Sequence, residues 1–379
     1  MPYSYSSHSP KENKLAQVNW LIVSLILVLG GLGVAMLYSA AGGSMEPWAS
    51  RQAIRFAVAF IGMMIIAVFP NRLLMRYAYL FYFLSLALLM VVELMGSLQM
   101  GAQRWISVGG LNLQPSEIMK MALTLALARY YHGMLAEDVS RPIMLIPPLT
   151  LIAMPVILIL LQPNLGTATI TAAIGVCILF TAGLYWRYFI AVGLVLMAAI
   201  PVGWHFLHDY QKQRVTTFLN PEADPLGAGY NIMQSKIAIG SGGLFGTGFM
   251  KGTQSQLDFL PEKHTDFIFT TIAEEFGFVG ATGVIGIYLL LIILGVATAI
   301  RSRSRFGALV ALGVTSMLLL HVAINIGMVM GLLPVVGVPL PLLSYGGTMV
   351  FAMMFGFGLL LNSYVHRDVT LGKVSHYRL

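Results

Sequence analysis

The sequence predicts an all-α polytopic membrane protein, with about ten transmembrane helices and a large ordered extracytoplasmic loop between helices 7 and 8. The composition, the spacing of the apolar stretches and the distribution of basic residues predict this class. Hydrophobic residues make up 58% of the 379 positions and charged residues only 10%, and the mean hydropathy is +0.81. A chain of this length with so few polar residues cannot cover a water-soluble globule.

Ten apolar stretches have helical length, and most of them match the roughly 20 residues that cross a bilayer. They are residues 19–40, 53–69, 75–95, 115–131, 143–161, 166–184, 188–206, 267–299, 307–331 and 347–365. The first stretch is too long for the apolar core of a signal peptide, which favours an uncleaved first helix. The predicted organisation is a cytoplasmic tail at 1–18, a transmembrane domain at 19–366 and a cytoplasmic tail at 367–379.

Basic residues are distributed unevenly between the two predicted sides of the membrane. With the N-terminus inside, thirteen lie on the inner side: Lys11, Lys14, Arg72, Arg76, Arg129, Arg141, Arg187, Arg301, Arg303, Arg305, Arg367, Lys373 and Arg378. Only Arg51 and Arg104 lie in short outer loops. This positive-inside asymmetry predicts that both termini are cytoplasmic. It also accounts for the net charge of +7, so no nucleic acid partner is expected.

Residues 207–266 form the longest predicted connection, and we expect an ordered, partly membrane-embedded cap on the outer side. Several aromatic residues lie among aliphatic ones here, a composition that disordered loops do not share. The glycine-rich stretch at 239–248 lacks the spacing of a dinucleotide-binding or P-loop motif. Close backbone packing or a flexible turn is the expected role of these glycines.

Ionisable residues are concentrated just before the eighth predicted helix. Glu262, Lys263, His264 and Asp266 fall within five residues, with Thr265 between them. A carboxylate is stabilised at this position because the unpaired N–H groups of a helix N-terminus favour negative charge. Four titratable groups exceed what capping requires, which makes this run the first candidate for a reaction site.

Two further candidates lie at or near the fourth predicted helix. Glu117 and Lys120 are spaced i, i+3 and can form an ion pair within the membrane, which is either structural or part of a site. Upstream, the planar guanidinium of Arg104 offers several hydrogen-bond donors in an arrangement that suits a diphosphate. Trp105 alone is better explained as an anchor at the membrane interface.

The start of the large loop is also basic. Gln211, Lys212 and Arg214 lie close together there and form either a solvated cluster or a contact to an anionic ligand.

Polar residues inside two later helices have simpler explanations. His321 and Asn325 share a face of the ninth predicted helix, and interhelical hydrogen bonding explains them better than catalysis. Glu274 and Glu275 follow Asp266 by about two turns. At least one of these two glutamates should point inward, where we expect a lysine or arginine partner.

Five motifs together resemble the shape, elongation, division and sporulation (SEDS) family of bacterial cell-wall proteins. They are FLPEKHTDFIF at 259–269, EEFG at 274–277, GAQRWI at 101–106, QPSEIMK at 114–120 and PLLSYGG at 341–347. The resemblance extends over nearly the whole chain and is greater to the elongation branch, which is RodA-like, than to the division branch. One departure concerns Asn164, which stands where the family usually has aspartate.

The resemblance implies a peptidoglycan glycosyltransferase that polymerises lipid II during cell elongation and rod-shape maintenance. It places the protein in the bacterial cytoplasmic (inner) membrane, with the active face extracytoplasmic. The implied partners are a class B penicillin-binding protein, which cross-links the strands, and other membrane proteins of the elongation complex. By the same resemblance Asp266 matches the essential aspartate. The other site residues carried over are Glu117, Lys120, Arg104, Trp105, Gln211 and Arg214.

The chemistry of glycan extension imposes two requirements on such a site. A sugar hydroxyl attacks an anomeric carbon while a lipid diphosphate leaves, so a base and positive charge are needed. Asp266 can act as the base, and Lys263, Arg104, Lys120 or Arg214 can stabilise the leaving group. Alternatively, Asp266 holds a divalent cation, Mg²⁺ or Mn²⁺, although no cluster has diagnostic ligand spacing. The single cysteine, Cys177, excludes a disulfide framework and a cysteine metal site.

Two other functions are compatible with this sequence. A lipid II flippase or transporter would use ionisable groups at membrane depth, such as Glu117 and Lys120, but should show a polar path to both faces. Here the conspicuous chemistry collects on one side, which favours the polymerase. A noncatalytic scaffold for the cross-linking partner is the third reading.

Overall fold

The computed structural model describes residues 14–95, 97–99, 102–108, 111–135, 137–206, 209–220, 228–257, 259–260 and 262–372. An α-helix lies over every apolar stretch that the sequence predicts. The helices are α1 (Trp20–Ala40), α2 (Ala49–Val68), α3 (Asn71–Met95), α4 (Pro115–His132), α5 (Pro142–Leu161), α6 (Leu165–Thr181), α7 (Trp186–Phe206), α8 (Asp209–Leu219), α9 (Ala228–Ser241), α10 (Thr253–Gln256), α11 (Ile268–Arg301), α12 (Arg305–Val329) and α13 (Gly347–Val365).

Seven of the described helices, namely α1, α2, α3, α5, α11, α12 and α13, are long and apolar enough to cross a membrane. The apolar parts of α6 and α7 are shorter. This architecture confirms the predicted class, an all-α polytopic membrane protein, whereas the number of ten spans stays a prediction. The most apolar window of α13 is 83% buried inside the protein and that of α2 only 22%, so α13 is central and α2 peripheral.

Small residues bring the central helices close together. A Cβ on Gly313 of α12 would come 2.5 Å from Thr124 Cγ2, and one on Gly356 of α13 would come 2.7 Å from Met121 Cε. Helix association in lipid depends on such close packing, because lipid tails are as apolar as the side chains they replace. Both α12 and α13 therefore pack directly against α4, which is buried along nearly its whole length.

A small antiparallel sheet precedes α4, and the sequence analysis did not predict it. Its strands are β1 (Ser97–Gln99), β2 (Ala102–Val108) and β3 (Leu111–Leu113), in the order β1-β2-β3. Ile106 pairs with Leu113 across the second hairpin. The strands are too short for a clear alternating pattern, but the glycine pair at 109–110 is a hairpin signal that could have indicated them.

α11 consists of two helical segments that meet at Gly277, where φ is 65° and ψ is −162°. The glycine-rich loop of residues 242–248 caps both ends of this break. Four hydrogen bonds join them: Thr247 N to Glu274 O at 3.0 Å, Gly248 N to Glu275 O at 3.0 Å, Phe278 N to Gly243 O at 2.9 Å and Val279 N to Leu244 O at 3.1 Å. A Cβ on Gly246 would lie 2.1 Å from Glu275 O. Close backbone packing, one of the two expected roles of these glycines, is confirmed.

Candidate active site

The turn that carries Asp266 lies between α11 and the segment 337–345 that leads into α13. Three consecutive carbonyl groups of this turn accept hydrogen bonds from residues far along the chain. The bonds are Tyr345 N to His264 O at 2.9 Å, Ser344 Oγ to Thr265 O at 2.6 Å and Asn325 Nδ2 to Asp266 O at 2.8 Å. The backbone of the turn is therefore fixed on one side by α12 and the segment before α13.

The Asp266 side chain is half-buried two residues before the start of α11. Its Oδ2 lies against Gly337, where a Cβ would come 3.4 Å from the oxygen. Gly337 has a φ of 69°, a conformation that favours glycine, so this wall of the Asp266 site has no side chain.

His264 and Thr265 are fixed by their own contacts. The His264 ring stacks on Trp48 with centroids 4.2 Å apart and planes at 10°. Burial lowers the pKa of His264 below its usual range, Glu262 raises it and Lys263 lowers it, so the ring is neutral at neutral pH. Thr265 Oγ1 donates to Glu262 Oε2 at 2.7 Å.

Lys263 points away from its neighbours in the turn. Its ammonium is buried and donates to Ser255 O at 2.6 Å. Ser255 belongs to α10, and its N–H and hydroxyl in turn bind Glu274 Oε2 at 3.2 and 2.6 Å. The described contacts of Lys263 therefore join the turn to α10.

Glu274 and Glu275 are both buried, which confirms the prediction that at least one of them points inward. Glu274 accepts from Gln254 N at 2.7 Å as well as from Ser255, so it caps the N-terminus of α10. Glu275 accepts from the Ser39 hydroxyl of α1. The expected lysine or arginine partner was wrong for the part of the chain that the structure describes, because amide and hydroxyl donors take that place.

Glu117, Lys120 and His321 form a buried cluster between α4 and α12. Lys120 Nζ lies 2.8 Å from Glu117 Oε1 and 2.9 Å from His321 Nε2. His321 Nδ1 lies 2.8 Å from Met317 O, which can only accept. Nδ1 therefore carries the proton, and Nε2 accepts a hydrogen bond from the ammonium of Lys120. This arrangement holds a charged lysine in the centre of the bundle.

A groove of about 890 Å³ opens between α2 and α13, next to the Asp266 turn. Polar groups line one end of it: Arg51, Arg55, His264, Thr265 and Tyr345. The rest is largely apolar and includes Val58, Met63, Ile66, Phe81, Met121, Phe351 and Phe355. The groove is thus amphipathic, with its cations at the end where the turn lies. Asp266, Glu117 and Lys120 are not among its lining residues.

Arg55 is the groove residue that the sequence analysis missed. It falls inside the second predicted span, where an ionisable residue should itself have marked a site. Its guanidinium lies 5.1 Å from the ring centre of Tyr345, and a Cβ on Gly347 would come 3.3 Å from its Cζ. Among the residues that the structure describes, no carboxylate lies within 4.0 Å of Arg55, whereas Arg51 is 3.8 Å from Glu46.

The remaining predicted site residues lie on the sheet and on α8. Trp105 lines the groove from β2. Arg104 also belongs to β2, and Gln211 and Arg214 belong to α8, but their side chains lie outside the described part of the structure. Elsewhere, Asn164 accepts from Thr167 N at 3.4 Å and caps α6. An amide serves this capping role about as well as a carboxylate would.

Fold and groove together define a polytopic helical membrane protein with an amphipathic cleft that ends in cationic side chains. A family model described as cell cycle protein, which groups FtsW, RodA and SpoVE, matches residues 17–369. The chain belongs to this family.

Curated relatives and solved structures match over most of the chain. Peptidoglycan glycosyltransferase MrdB of Escherichia coli (strain K12) is 46% identical over 356 residues, 92% of this chain and 93% of that protein. Stage V sporulation protein E of Bacillus subtilis (strain 168) is 34% identical over 351 residues, 90% of this chain and 95% of that protein.

Two of the similar solved structures extend this likeness to the fold. One belongs to a structure described as "Structural coordination of polymerization and crosslinking by a peptidoglycan synthase complex", with a TM-score of 0.80, 33% identity and coverage of 92% of this chain and 98% of that chain. The other is a crystal structure of Thermus thermophilus rod shape determining protein RodA, with a TM-score of 0.70, 31% identity and coverage of 92% and 97%.

Proposed function

We propose that this protein is a peptidoglycan glycosyltransferase that polymerises lipid II into glycan strands during cell elongation. One observation carries the proposal from the structural side: an apolar groove between α2 and α13, which are both long and apolar enough to cross a membrane, ends in Arg51 and Arg55 beside the Asp266 turn. A lipid-linked diphosphate sugar has matching parts, namely an isoprenoid tail, an anionic diphosphate and a sugar at the polar end. The names and identities of the curated relatives support the same activity.

The groove accommodates the substrate in one orientation. The isoprenoid tail lies along the apolar part between α2 and α13, where Gly62 leaves the wall open and Val58 is 55% exposed. The diphosphate then meets Arg55, whose planar fork binds phosphate oxygens in pairs. Tyr345 holds the guanidinium in place from the other side by a cation–π contact.

Asp266 is the proposed base for the attacking sugar hydroxyl. Its carboxylate lies beside the polar end of the groove and is not part of the wall that would bind the tail. The sugar end of the substrate would lie at this polar end. The N-terminus of α11 adds positive potential next to the site. The leaving diphosphate is stabilised by Arg55 and Arg51 at the groove end.

A divalent cation, Mg²⁺ or Mn²⁺, fits this site if the substrate and water supply most of its ligands. No group of three or more His, Cys, Asp or Glu side chains in the described ranges could hold a metal ion. The carboxylate of Asp266 would therefore supply one hard oxygen ligand, and the substrate diphosphate and water would supply the rest, as is common for Mg²⁺. When bound, the cation would neutralise charge on the leaving diphosphate.

The Asp266 end is proposed to be extracytoplasmic, with both termini in the cytoplasm. Basic groups cluster at the opposite end of the bundle, where Lys14 Nζ lies 3.3 Å from His366 Nε2 and Arg303 N donates to Arg367 O at 2.8 Å. The positive-inside tendency favours this orientation. The proposed partner is a class B penicillin-binding protein, together with other membrane proteins of the elongation complex. The similarity to a chain of a peptidoglycan synthase complex supports the cross-linking partner.

A lipid II flippase is the second candidate, and the buried pair of Glu117 and Lys120 at membrane depth favours it. The flippase would move lipid II between leaflets of a vesicle without forming strands. The polymerase would form strands from lipid II that is already on its active face.

Strand formation by the purified protein with lipid II and the class B partner, in the presence and absence of a chelator, separates these two functions. Asp266→Asn should lower the rate of strand formation by about 10²-fold or more, because a general base contributes at least that much. Membrane insertion should be unchanged, since the amide has the same shape. The measurement is the amount and length of glycan strands over time.

Asp138→Asn is the matched control, because it removes the same charge from a residue that lies between α4 and α5 and pairs with Arg141 at 3.1 Å. Its polymerisation rate should equal that of the unaltered protein. Wild-type rates from Asp266→Asn would reject the assigned role of Asp266, and lipid II movement without strands in the unaltered protein would favour the flippase.

A further inference from the structure

The backbone of the Asp266 turn is held by side chains that the proposed chemistry does not use. Asn325 is 0% exposed and donates both amide hydrogens, to Asp266 O at 2.8 Å and to Val338 O at 2.7 Å. Both neighbours are carbonyl oxygens, so the amide nitrogen must face them. A buried amide that makes two such bonds fixes the separation of the two backbone segments it joins.

Val338 is next to Gly337, the residue that forms the wall beside Asp266 Oδ2. Asn325 therefore holds the backbone of Asp266 and the wall against which its carboxylate lies. A shift of either segment would change the position of the carboxylate relative to the groove.

Ser344 ties the same turn to the groove. Its hydroxyl accepts from Leu340 N at 2.7 Å and donates to Thr265 O at 2.6 Å. Its carbonyl oxygen accepts from Gln52 Nε2 of α2 at 3.1 Å. Gln52 and Arg55 are spaced i, i+3 and lie on neighbouring parts of one helix face. The position of the Asp266 turn relative to the Arg55 guanidinium thus depends on Ser344.

The same helix that carries Asn325 also contacts the buried ion pair. His321 lies one turn before Asn325, about 6 Å along the axis of α12, and binds Lys120 at 2.9 Å. One face of α12 therefore sets the position of Lys120 and of Asp266 together.

We propose that Asn325 and Ser344 are positioning residues, which hold the Asp266 carboxylate at a fixed place relative to Arg55 and Lys120. This inference rests on the proposed glycosyltransferase function. Neither side chain touches the reacting atoms; each acts through the backbone of the Asp266 turn. Small shifts of the carboxylate would matter, because a misplacement of a catalytic group by about 1 Å can lower the rate about 10²-fold.

The test compares Asn325→Leu, Ser344→Ala and the double variant with the unaltered protein in lipid II polymerisation with the class B partner. Leucine has the same number and branching of side-chain heavy atoms as asparagine but donates no hydrogen bond. We expect kcat per folded molecule to fall by about 10²-fold for Asn325→Leu and by about 10-fold for Ser344→Ala, with KM for lipid II unchanged. Because both residues hold one turn, the double variant should lose less than the product of the single losses.

Thr315→Val is the matched control, since it removes a buried hydrogen bond of α12, from Thr315 Oγ1 to Ala311 O at 2.7 Å, that does not reach the turn. The folded fraction of each variant is measured by thermal unfolding and size-exclusion chromatography. Thr315→Val should keep the wild-type kcat per folded molecule.

The outcomes separate the inference from the proposed function. If the unaltered protein forms no strands, the function itself is wrong. If it forms strands but Asn325→Leu keeps its kcat per folded molecule, or loses activity only in proportion to its folded fraction, the positioning role is overturned. Multiplicative losses in the double variant would also overturn the shared role.

Discussion

Asp266 lies in the turn just before α11 and Glu274 lies in its first helical segment, eight residues further on, yet the two carboxylates have different surroundings. Amide and hydroxyl donors of α10 converge on the carboxylate of Glu274, which is fully buried. At Asp266, donors from Asn325 and Ser344 hold the backbone of the turn, and the half-buried carboxylate lies beside the groove. The comparison teaches that a count of ionisable residues does not distinguish their roles, whereas the group bound by the neighbouring donors does. The described donors at Glu274 bind its carboxylate, and those from Asn325 and Ser344 bind the backbone of the Asp266 turn.

The buried pair of Glu117 and Lys120 tests this comparison most severely. It is buried, as Glu274 is, and it lies near the proposed site, as Asp266 does. Lys120→Met should abolish activity and lower the free energy of unfolding by about 3–5 kcal/mol, since it leaves Glu117 buried without its partner. Thermal unfolding and strand formation are measured together. The double variant with Glu117→Gln should regain stability without activity; if it regains full activity as well, the pair is structural only.

Arg55 sharpens the comparison from the side of the groove. Arg55→Ala should raise KM for lipid II by about 10- to 10²-fold, because it removes a charge-assisted contact worth about 1.5–3 kcal/mol. Arg55→Lys should recover part of this loss, since lysine keeps the charge but not the planar fork. Stability should change little, because Arg55 has no carboxylate partner within 4.0 Å in the described structure. An unchanged KM would remove Arg55 from the site.

Glu274→Gln should have the smallest effect on activity. The amide keeps one acceptor oxygen but places an NH2 group against the donors that bind the other oxygen, and it loses the charge, so the free energy of unfolding should fall by about 1–3 kcal/mol. The rate of strand formation per folded molecule should be unchanged. Calorimetry in detergent and a polymerisation assay at low temperature check both parts. A large loss of rate without loss of stability would place Glu274 among the reacting groups.

The sequence predicted what depends on neighbouring residues and missed what depends on distant ones. Hydropathy is a local signal, so every predicted apolar stretch coincides with a helix. The break of α11 was missed because Gly277 resembles any other glycine in an apolar helix until the loop at 242–248 is seen against it. Asp266 was found from its local run of ionisable residues.

The residues that hold Asp266 could not be found in this way. Asn325 and Ser344 lie 59 and 79 positions from the carbonyl groups they bind, and His321 lies 201 positions from Lys120. Periodicity places His321 and Asn325 on one helix face but does not say which partner that face meets. Arg55 is different, because its place inside an apolar span was already visible in the sequence.

The most direct measurement of the central claim is the initial rate of glycan-strand formation per folded molecule for Asp266→Asn and Glu274→Gln side by side. Both substitutions replace a carboxylate on α11 or its N-terminal turn by an amide of the same shape. The account predicts a rate about 10²-fold or more below wild type for Asp266→Asn and a wild-type rate for Glu274→Gln. Equal rates for the two variants would contradict it.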